Sequence, residues 1–290
     1  KGAFQAGNFT IKGEEMPTIT VPETTIDFNA TGVVGSTIIG DMQLKADKVA
    51  ILNKDEPEAI VFDLGAESSS VKTEQSLDGS LGIKAANIKG VQDQFNHISY
   101  SLKFNDFLLS GIETIGKLQS DRENLLSQVG FNSENADTPE GQKKMMELND
   151  QLQDLGGKMV ETIFAQLLQA DKSRVVQNLL MDSPKGKTTI DMDLTYHGSA
   201  QTPTMNTIAA YTPEQWSDLF RGTINLNANK AILPPVVPMM ASDLINQGVI
   251  KDNADHYAMA LKLNGNAIDL NGVSMPVAEF LGKFGGTANE

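Results

Sequence analysis

Cysteine is absent from this chain of 290 residues, and its absence excludes whole classes of chemistry. No disulfide, thiolate nucleophile or cysteine-bound metal can be present, although the absence does not fix a compartment. An excess of basic residues is also absent, because the net charge is -14. The chain lacks the overall positive charge that holds nucleic-acid phosphates, so we predict no nucleic-acid partner.

Long apolar runs are missing as well. The nearest to one, residues 232–241, contains Pro234, Pro235 and Pro238 and is shorter than the ~20 apolar residues that cross a bilayer. The sequence opens on Lys1 without an initiator methionine, so we interpret it as an excised piece whose signal or anchor has been removed. Hydrophobic residues make up 40% and charged residues 21% of the chain, which is typical of a globular protein.

Residues that could carry catalysis are few and scattered. The three histidines, His97, His197 and His256, lack the short spacing of a zinc site, and we interpret them as edge or surface residues. Asp191 and Asp193 share one side of a predicted strand, where they could bind a hard cation or serve acid-base chemistry. A solvated strand face is the favoured interpretation, and the sequence predicts no cofactor, metal or catalytic residue.

One segment imitates a phosphate-binding loop. Residues 111–117 have the right glycine and lysine spacing, but Leu118 replaces the serine or threonine that would hold magnesium. Because the segment also carries a helical apolar stripe, we interpret the match as coincidence.

Apolar and polar residues alternate through most of residues 17–104, which predicts half-buried antiparallel strands. We expect turns at Gly32, Gly35, residues 53–57, residues 68–70 and Asp78-Gly79. One face of this meander should be apolar and the other solvated.

The period changes to that of a helix after Asn105. A first helical stripe starts with Phe107 and Leu108 and is expected to end at Gly130. Thr138-Pro139 then supplies an N-cap and a first-turn proline for a second helix. Its apolar residues step by three and four: Met145, Leu148, Leu152, Leu155, Met159, Ile163 and Leu167.

The remaining residues predict strands joined by tight turns, with short helices between them. A hairpin is expected around the turn at residues 183–186, and helices at 212–220, 234–248 and 277–284. Near the end, Asn264-Gly265 and Asn271-Gly272 provide the positive φ angles of hairpin turns. These turns direct alternating residues toward a buried face: Leu261, Leu263, Ile268 and Leu270.

Helical segments placed between groups of strands predict an α+β fold rather than a doubly wound sheet. We expect a large curved antiparallel β-sheet with amphipathic helices packed on its concave face. Residues 1–290 are interpreted as one elongated domain, with a β-meander at 1–104, a helical insertion at 105–172 and β-hairpins with short helices at 173–290.

Methionine is the one residue type whose distribution suggests a ligand site. Its flexible side chain suits adaptable apolar surfaces, although core packing is the more common role. If the helices leave the concave face partly unfilled, an apolar groove could hold an acyl chain or a partner helix. The residues predicted to line this groove are Met145, Leu152, Met159, Ile163, Leu167, Met239 and Met240.

Residues 245–276, with the two Asn-Gly turns and the closing proline, resemble the C-terminal signature of the YdgA/YihF-type proteins of proteobacteria. Residues 167–194, with a Pro-x-Gly turn between two strands, resemble the hairpin of the same family. The resemblance implies a periplasmic protein, tethered to the inner membrane by an N-terminal anchor that this chain lacks, with no established biochemical activity.

We therefore predict a non-enzymatic, membrane-tethered envelope protein that binds a protein partner or an apolar or lipid ligand through a groove between sheet and helices. The alternative is a hydrolase or metal-dependent enzyme whose Asp, Glu and His residues converge only in the folded chain. A homodimer formed by the helix at residues 142–170 is a further alternative.

Overall fold

The structure is a computed structural model that describes residues 1–12, 16–35, 37–54, 58–90, 95–132, 138–198, 203–233 and 236–284. Within them the chain forms one antiparallel sheet of fifteen strands, and the whole is 51% strand and 30% helical. The predicted α+β class and the antiparallel sheet are confirmed.

The strands, in chain order, are β1 (Gly2–Ala6), β2 (Phe9–Ile11), β3 (Thr18–Val21), β4 (Thr24–Val34), β5 (Thr37–Leu52), β6 (Ile60–Lys72), β7 (Ser76–Lys89), β8 (His97–Leu108), β9 (Arg174–Ser183), β10 (Gly186–Tyr196), β11 (Phe220–Asn229), β12 (Lys251–Asp252), β13 (His256–Asn264), β14 (Ala267–Leu270) and β15 (Val273–Pro276). The described helices are α1 (Leu109–Asn132), α2 (Pro139–Thr162), α3 (Met205–Ala209), α4 (Pro213–Asp218), α5 (Val236–Asn246) and α6 (Val277–Phe284). A π-helical turn (Ile163–Leu167) continues α2, and a 3-10 turn (Lys230–Ile232) follows β11.

The order of strands across the sheet is β1-β4-β5-β6-β7-β8-β9-β10-β11-β13-β14-β15. Most neighbours in the sheet are also neighbours in sequence, as short antiparallel connections favour. The connection between β8 and β9 is the long one: these two strands lie side by side in the sheet, although α1 and α2 separate them in the chain. The helical segment is therefore an insertion into a continuous meander.

Sequence signals set several element boundaries as predicted. The Thr138 hydroxyl accepts a hydrogen bond from the Gly141 N–H at the start of α2, and Pro139 occupies the first turn. Asn271 and Gly272 both have positive φ, 56° and 89°, as a tight two-residue hairpin turn requires. At the preceding turn the prediction was one residue early, because β13 extends through Asn264 and Gly265 has a φ of 76°.

Other boundary predictions were wrong. Residues 68–70 lie inside β6 and Asp78-Gly79 lies inside β7, so neither forms a turn. Ser70 fits a strand because its Oγ accepts a hydrogen bond from the Gly40 N–H and can donate to the Ile38 carbonyl oxygen, 3.0 and 3.2 Å away. Phe107 and Leu108 close β8 rather than opening α1. The first helix also continues through Gly130 to Asn132.

Two aspartate side chains form hydrogen bonds at three irregular points of the sheet. Asp63 accepts hydrogen bonds from the Lys48 N–H, at 3.0 Å, and from Asn87 Nδ2, at 2.6 Å, and both donor residues have positive φ. The Asn87 bond, followed by the Lys48 bond, lowers the pKa of Asp63. Asp78 accepts from the N–H of Asp106, another positive-φ residue, at 2.7 Å. We call these contacts the aspartate clamps, because each fixes register where the pairing is irregular.

Fully buried apolar residues form three clusters in the described chain. One cluster joins the hairpin strands β13 to β15 with residues around α5 and α6: Val249, Leu261, Ile268, Leu270, Met275 and Val277. A second joins Ala228, Ala241 and Tyr257. A third joins Val34, Ile39 and Leu77, with Leu109 and Ile112 of α1 packed against it. The predicted burial of Leu261, Ile268 and Leu270 is confirmed, and Leu263 is half-buried.

Candidate functional site: an open apolar face

Strand register aligns apolar side chains from eight neighbouring strands into one row. Directly paired residues of a sheet point to the same face, so a chain of such pairs defines a row across the strands. We call this row the apolar strip, and its members are Phe4, Ile26, Leu44, Ala66, Ile83, Tyr100, Leu179 and Ile190. The row continues into Leu226 and Met259, which pack on the buried clusters beneath α5 and α6.

The rows on either side of the apolar strip contain no charged residue. One row reads Gly2, Phe28, Met42, Ser68, Leu81, Leu102, Gln177 and Met192. The other reads Ala6, Thr24, Ala46, Leu64, Ala85, Ile98, Met181 and Thr188. The alternate positions of the same strands carry the charges, for example Lys45, Glu67 and Lys84. The sheet therefore has one apolar and one polar face, as the alternation predicted.

The apolar strip is open to solvent. Phe4 is 59% exposed, Ile83 42% and Ile190 39%, and the remaining five members are half-buried. No member belongs to the buried core. An apolar sheet face is normally covered by another layer, and a contiguous exposed apolar surface marks an interaction site. This uncovered strip is the most distinctive surface of the described chain.

A cavity of about 440 Å³ lies between α1 and the strands β5, β7 and β8. Leu77, Phe104 and Phe107 form its sheet side, Ile112 and Ile115 its helix side, and Leu167 also lines it. Gly111 lets the two helical segments approach closely, because a Cβ at this position would stand 2.5 Å from the Leu167 Cα. The glycine that imitated a phosphate-binding loop therefore serves close packing.

The predicted groove residues are divided between surroundings. Leu167 is buried and lines the cavity beneath α1. Met145, Leu152, Met159 and Ile163 are half-buried along α2 and the π-helical turn and are not among the residues that line this cavity. The side chains of Met239 and Met240 lie outside the described residues, although their backbone belongs to α5. A ligand role for these seven residues stays a prediction.

The three histidines occupy separate places. His97 lies 3.6 Å from Asp182 at the start of β8, and His197 lies 2.5 Å from Asp171 just beyond the end of β10. His256 opens β13 and contacts Asp255 at 2.7 Å. Asp182 pairs with Lys187 near the start of β10, so His97 and His197 lie near opposite strand ends, roughly 30 Å apart at about 3.4 Å per residue. This geometry gives the enzyme alternative no support.

The two aspartates of β10 each bind a neighbouring strand. Asp193 receives two hydrogen bonds from Arg174, from Nε at 2.7 Å and from Nη2 at 2.5 Å. This guanidinium lowers the pKa of Asp193, and Asp193 in turn raises the pKa of Arg174. Asp191 accepts a hydrogen bond from Asn178 Nδ2 at 2.6 Å. Their geometry is that of cross-strand links on the polar face.

Two features are absent from the part of the chain that the structure describes. No group of three or more histidine, aspartate or glutamate side chains is arranged to hold a metal ion in that part of the chain. In the same residues, no helix combines the length and apolar character needed to cross a membrane.

Sequence reasoning found the apolar alternation but missed that the strip is open. It also missed β1, whose Phe4 begins the strip, because that strand has only five residues and one large apolar side chain. The number of strands relative to long helices could have predicted this exposure. The described sheet has fifteen strands, whereas few of the described helices are long enough to cover it.

By its fold and its candidate site, this protein is an open antiparallel-sheet protein with a solvent-exposed apolar strip across its strands. The chain belongs to DUF945, a family of bacterial proteins of unknown function, whose model matches residues 1–278. Comparison with curated proteins and with solved structures gave no match. The predicted resemblance holds at the level of a bacterial family of unknown function, and the finer YdgA/YihF-type naming stays a prediction.

Proposed function

We propose that this protein is a non-enzymatic binding protein that holds a lipid acyl chain along the apolar strip. The observation that carries the proposal is the unbroken row of eight half-buried or exposed side chains without a charge. As part of the proposal, the sheet curves toward the strip and the helices flank the ligand on that concave side.

An acyl chain fits this surface better than an extended peptide does. A peptide laid over the strip would leave backbone N–H and C=O groups against apolar side chains, and each unsatisfied group is costly. An acyl chain has no such groups, and each methylene removed from water contributes about 0.8 kcal/mol. The single hydroxyl of the strip, on Tyr100, cannot satisfy a peptide backbone.

The width of the strip also favours an acyl chain over an amphipathic helix. Rows on one face repeat every two residues, about 6.8 Å along the strands, whereas a helix with its side chains is about 10–12 Å across. A helix would cover the flanking rows as well, where it would meet the polar side chains of Ser68 and Gln177. A protein partner is therefore an outcome of the test below.

Binding of a fluorescent 18-carbon fatty acid to the purified protein tests the proposal. We expect saturable binding that is at least tenfold weaker, about 1.4 kcal/mol, when Leu44→Glu and Leu179→Glu place two carboxylates in the strip. The matched control is Ser99→Glu with Thr189→Glu, which adds the same charge to the polar face of the same part of the sheet. The control should bind as the unmodified protein does.

A labelling experiment covers the case in which the strip variants fail to fold. A photoactivatable fatty acid added to the unmodified protein should label peptides from β4 to β10 at residues of the apolar face. The proposal is wrong if the unmodified protein does not bind the probe, if both double variants bind equally well, or if labelling is confined to the polar face. If an amphipathic peptide suppresses this labelling and unlabelled fatty acid does not, the strip binds a protein partner instead.

We also propose that the protein works in the bacterial periplasm, tethered to the inner membrane. The support is the resemblance of residues 167–194 and 245–276 to an anchored envelope family, together with the bacterial family that matches the chain. Cell fractionation of the native gene product tests this location. We expect it in the inner-membrane fraction and cleaved by protease once the outer membrane is permeabilised; recovery in the cytoplasmic fraction contradicts it.

A further inference from the structure

The apolar strip is longer than one acyl chain. Its eight members are separated by seven interstrand spacings, which at about 4.8 Å each give a length of ~34 Å. The hydrocarbon core of a bilayer is about 30 Å thick, so an acyl chain that fills one leaflet reaches about 15 Å. The strip can therefore hold two such chains placed end to end.

The strip is also continuous along this length. The four register shifts among β4 to β8 lie beside it: Ala30/Gly32, Ala46/Val49, Val61/Asp63 and Leu77/Gly79. Every pair within the strip is a direct partner pair, so no bulge interrupts the row. Ala66, the smallest member, lies between Leu44 and Ile83 and leaves room where the ends of two chains would meet.

From this length and continuity we infer that the strip holds two acyl chains in line, so that its ligands are lipids with two chains or pairs of single-chain lipids. The inference rests on the proposed function. It adds a stoichiometry and two half-sites, one around Leu44 and the other around Leu179, which the proposed function does not require.

Native mass spectrometry of the purified protein with palmitic acid measures this stoichiometry. We expect two bound molecules on the unmodified protein. In Leu44→Glu the uninterrupted strip runs from Ala66 to Ile190, a length of about 19 Å over four interstrand spacings. In Leu179→Glu it runs from Phe4 to Tyr100, about 24 Å over five spacings. Each single variant should therefore bind one palmitate. The double variant retains only about 10 Å of apolar strip between its two introduced glutamates and should bind no palmitate. The Ser99→Glu, Thr189→Glu control should bind two.

A second arm distinguishes the two lipid sources. If a single molecule carries both chains, one phospholipid with two 16-carbon chains should displace both palmitates, whereas displacement of only one means that the half-sites take separate lipids. Saturation of the unmodified protein at one palmitate, or loss of both palmitates in either single variant, overturns the inference and leaves the proposed function standing. Absence of any bound palmitate overturns the proposed function itself.

Discussion

One sheet in this protein is stabilised in two different ways. At its C-terminal end, β13 to β15 bury Leu261, Ile268 and Leu270 together with residues around α5 and α6. Along the apolar strip from β1 to β10 the same alternation of apolar side chains continues, but the eight side chains of the strip are exposed or half-buried. We call these regions the closed part and the open part. The comparison shows that apolar alternation specifies a face without specifying what covers it.

Side-chain hydrogen bonds join the strands of the open part. The aspartate clamps tie Asp63 to Lys48 and Asn87, and Asp78 to Asp106. Arg174 and Asp193 join β9 to β10 on the polar face. Such contacts fix register where apolar burial is incomplete. Stability of the closed part should accordingly depend on side-chain volume, and that of the open part on hydrogen bonds.

The largest expected difference comes from truncating one apolar residue in each part. Leu270→Ala creates a cavity in the closed part and should reduce the free energy of unfolding by about 2–5 kcal/mol. Ile83→Ala removes a side chain that is already 42% exposed, so its cost should be about 1 kcal/mol. Urea unfolding of both variants measures these losses. Equal losses would show that the open part is covered in solution.

Ligand binding should separate the two parts next. Fatty acid at 100 times its dissociation constant should add about 2.7 kcal/mol to the free energy of unfolding, because it binds only the folded chain. The same increment is expected in Leu270→Ala, since distant sites contribute independently. Urea unfolding with and without fatty acid provides the measurement. An increment that disappears in Leu270→Ala would place the ligand in the closed part.

Removing an aspartate clamp should have a smaller effect. Asp78→Ala leaves the N–H of the positive-φ residue Asp106 without its 2.7 Å acceptor, at a cost of about 1–2 kcal/mol. Asp41→Ala, on an exposed polar-face position of β5, is the control and should change stability by no more than about 0.5 kcal/mol. Hydrogen exchange should increase at β7 and β8 in the first variant. A uniform increase over the sheet would contradict a local clamp.

The smallest effect concerns the pH dependence of the open part. Arg174 lowers the pKa of Asp193 in the folded chain, so this pair stabilises the protein above the pKa that the aspartate has when unfolded. That stability is lost as the pH falls through the lower folded value, in the range below about pH 4. Because the two side chains are 50% and 38% exposed, solvent screening limits the effect to no more than about 1 kcal/mol.

Asp193→Asn should therefore make the fall in stability between pH 6 and pH 3 shallower, as measured by urea unfolding at each pH. Asp27→Asn, which removes an exposed aspartate of β4 away from Arg174, serves as the comparison variant. If the two variants give the same slope, the Arg174 contact does not stabilise the sheet in solution.

Local sequence chemistry predicted the elements whose signals lie within a few residues. Thr138-Pro139, Thr212-Pro213 and the turn at residues 183–186 act through their own backbone, and the structure places a helix start or a turn at each. The wrong predictions depended on distant partners. Ser70 is compatible with a strand because Gly40 is opposite it, and Asp78-Gly79 because β8 absorbs an irregularity there.

The candidate site was harder to predict for the same reason. The alternating residues of β5 to β8 were visible in the sequence, but exposure depends on where the helices finally lie. Leu81 and Leu261 are both apolar residues in strands of alternating pattern, yet only Leu261 is buried. Five of the seven residues predicted to line a groove belong instead to the helical insertion, and of these Leu167 lines the cavity under α1.

The position of the helical insertion has a consequence for how this chain folds. Strands β4 to β8 can pair one hairpin at a time, and so can β9 to β11, because each connection is short or moderate. The pairing of β8 with β9 must close the loop formed by α1 and α2, and loop-closure entropy opposes that step. We therefore expect two meanders to form early and to join late at this seam, with the slow phase set by one non-local contact.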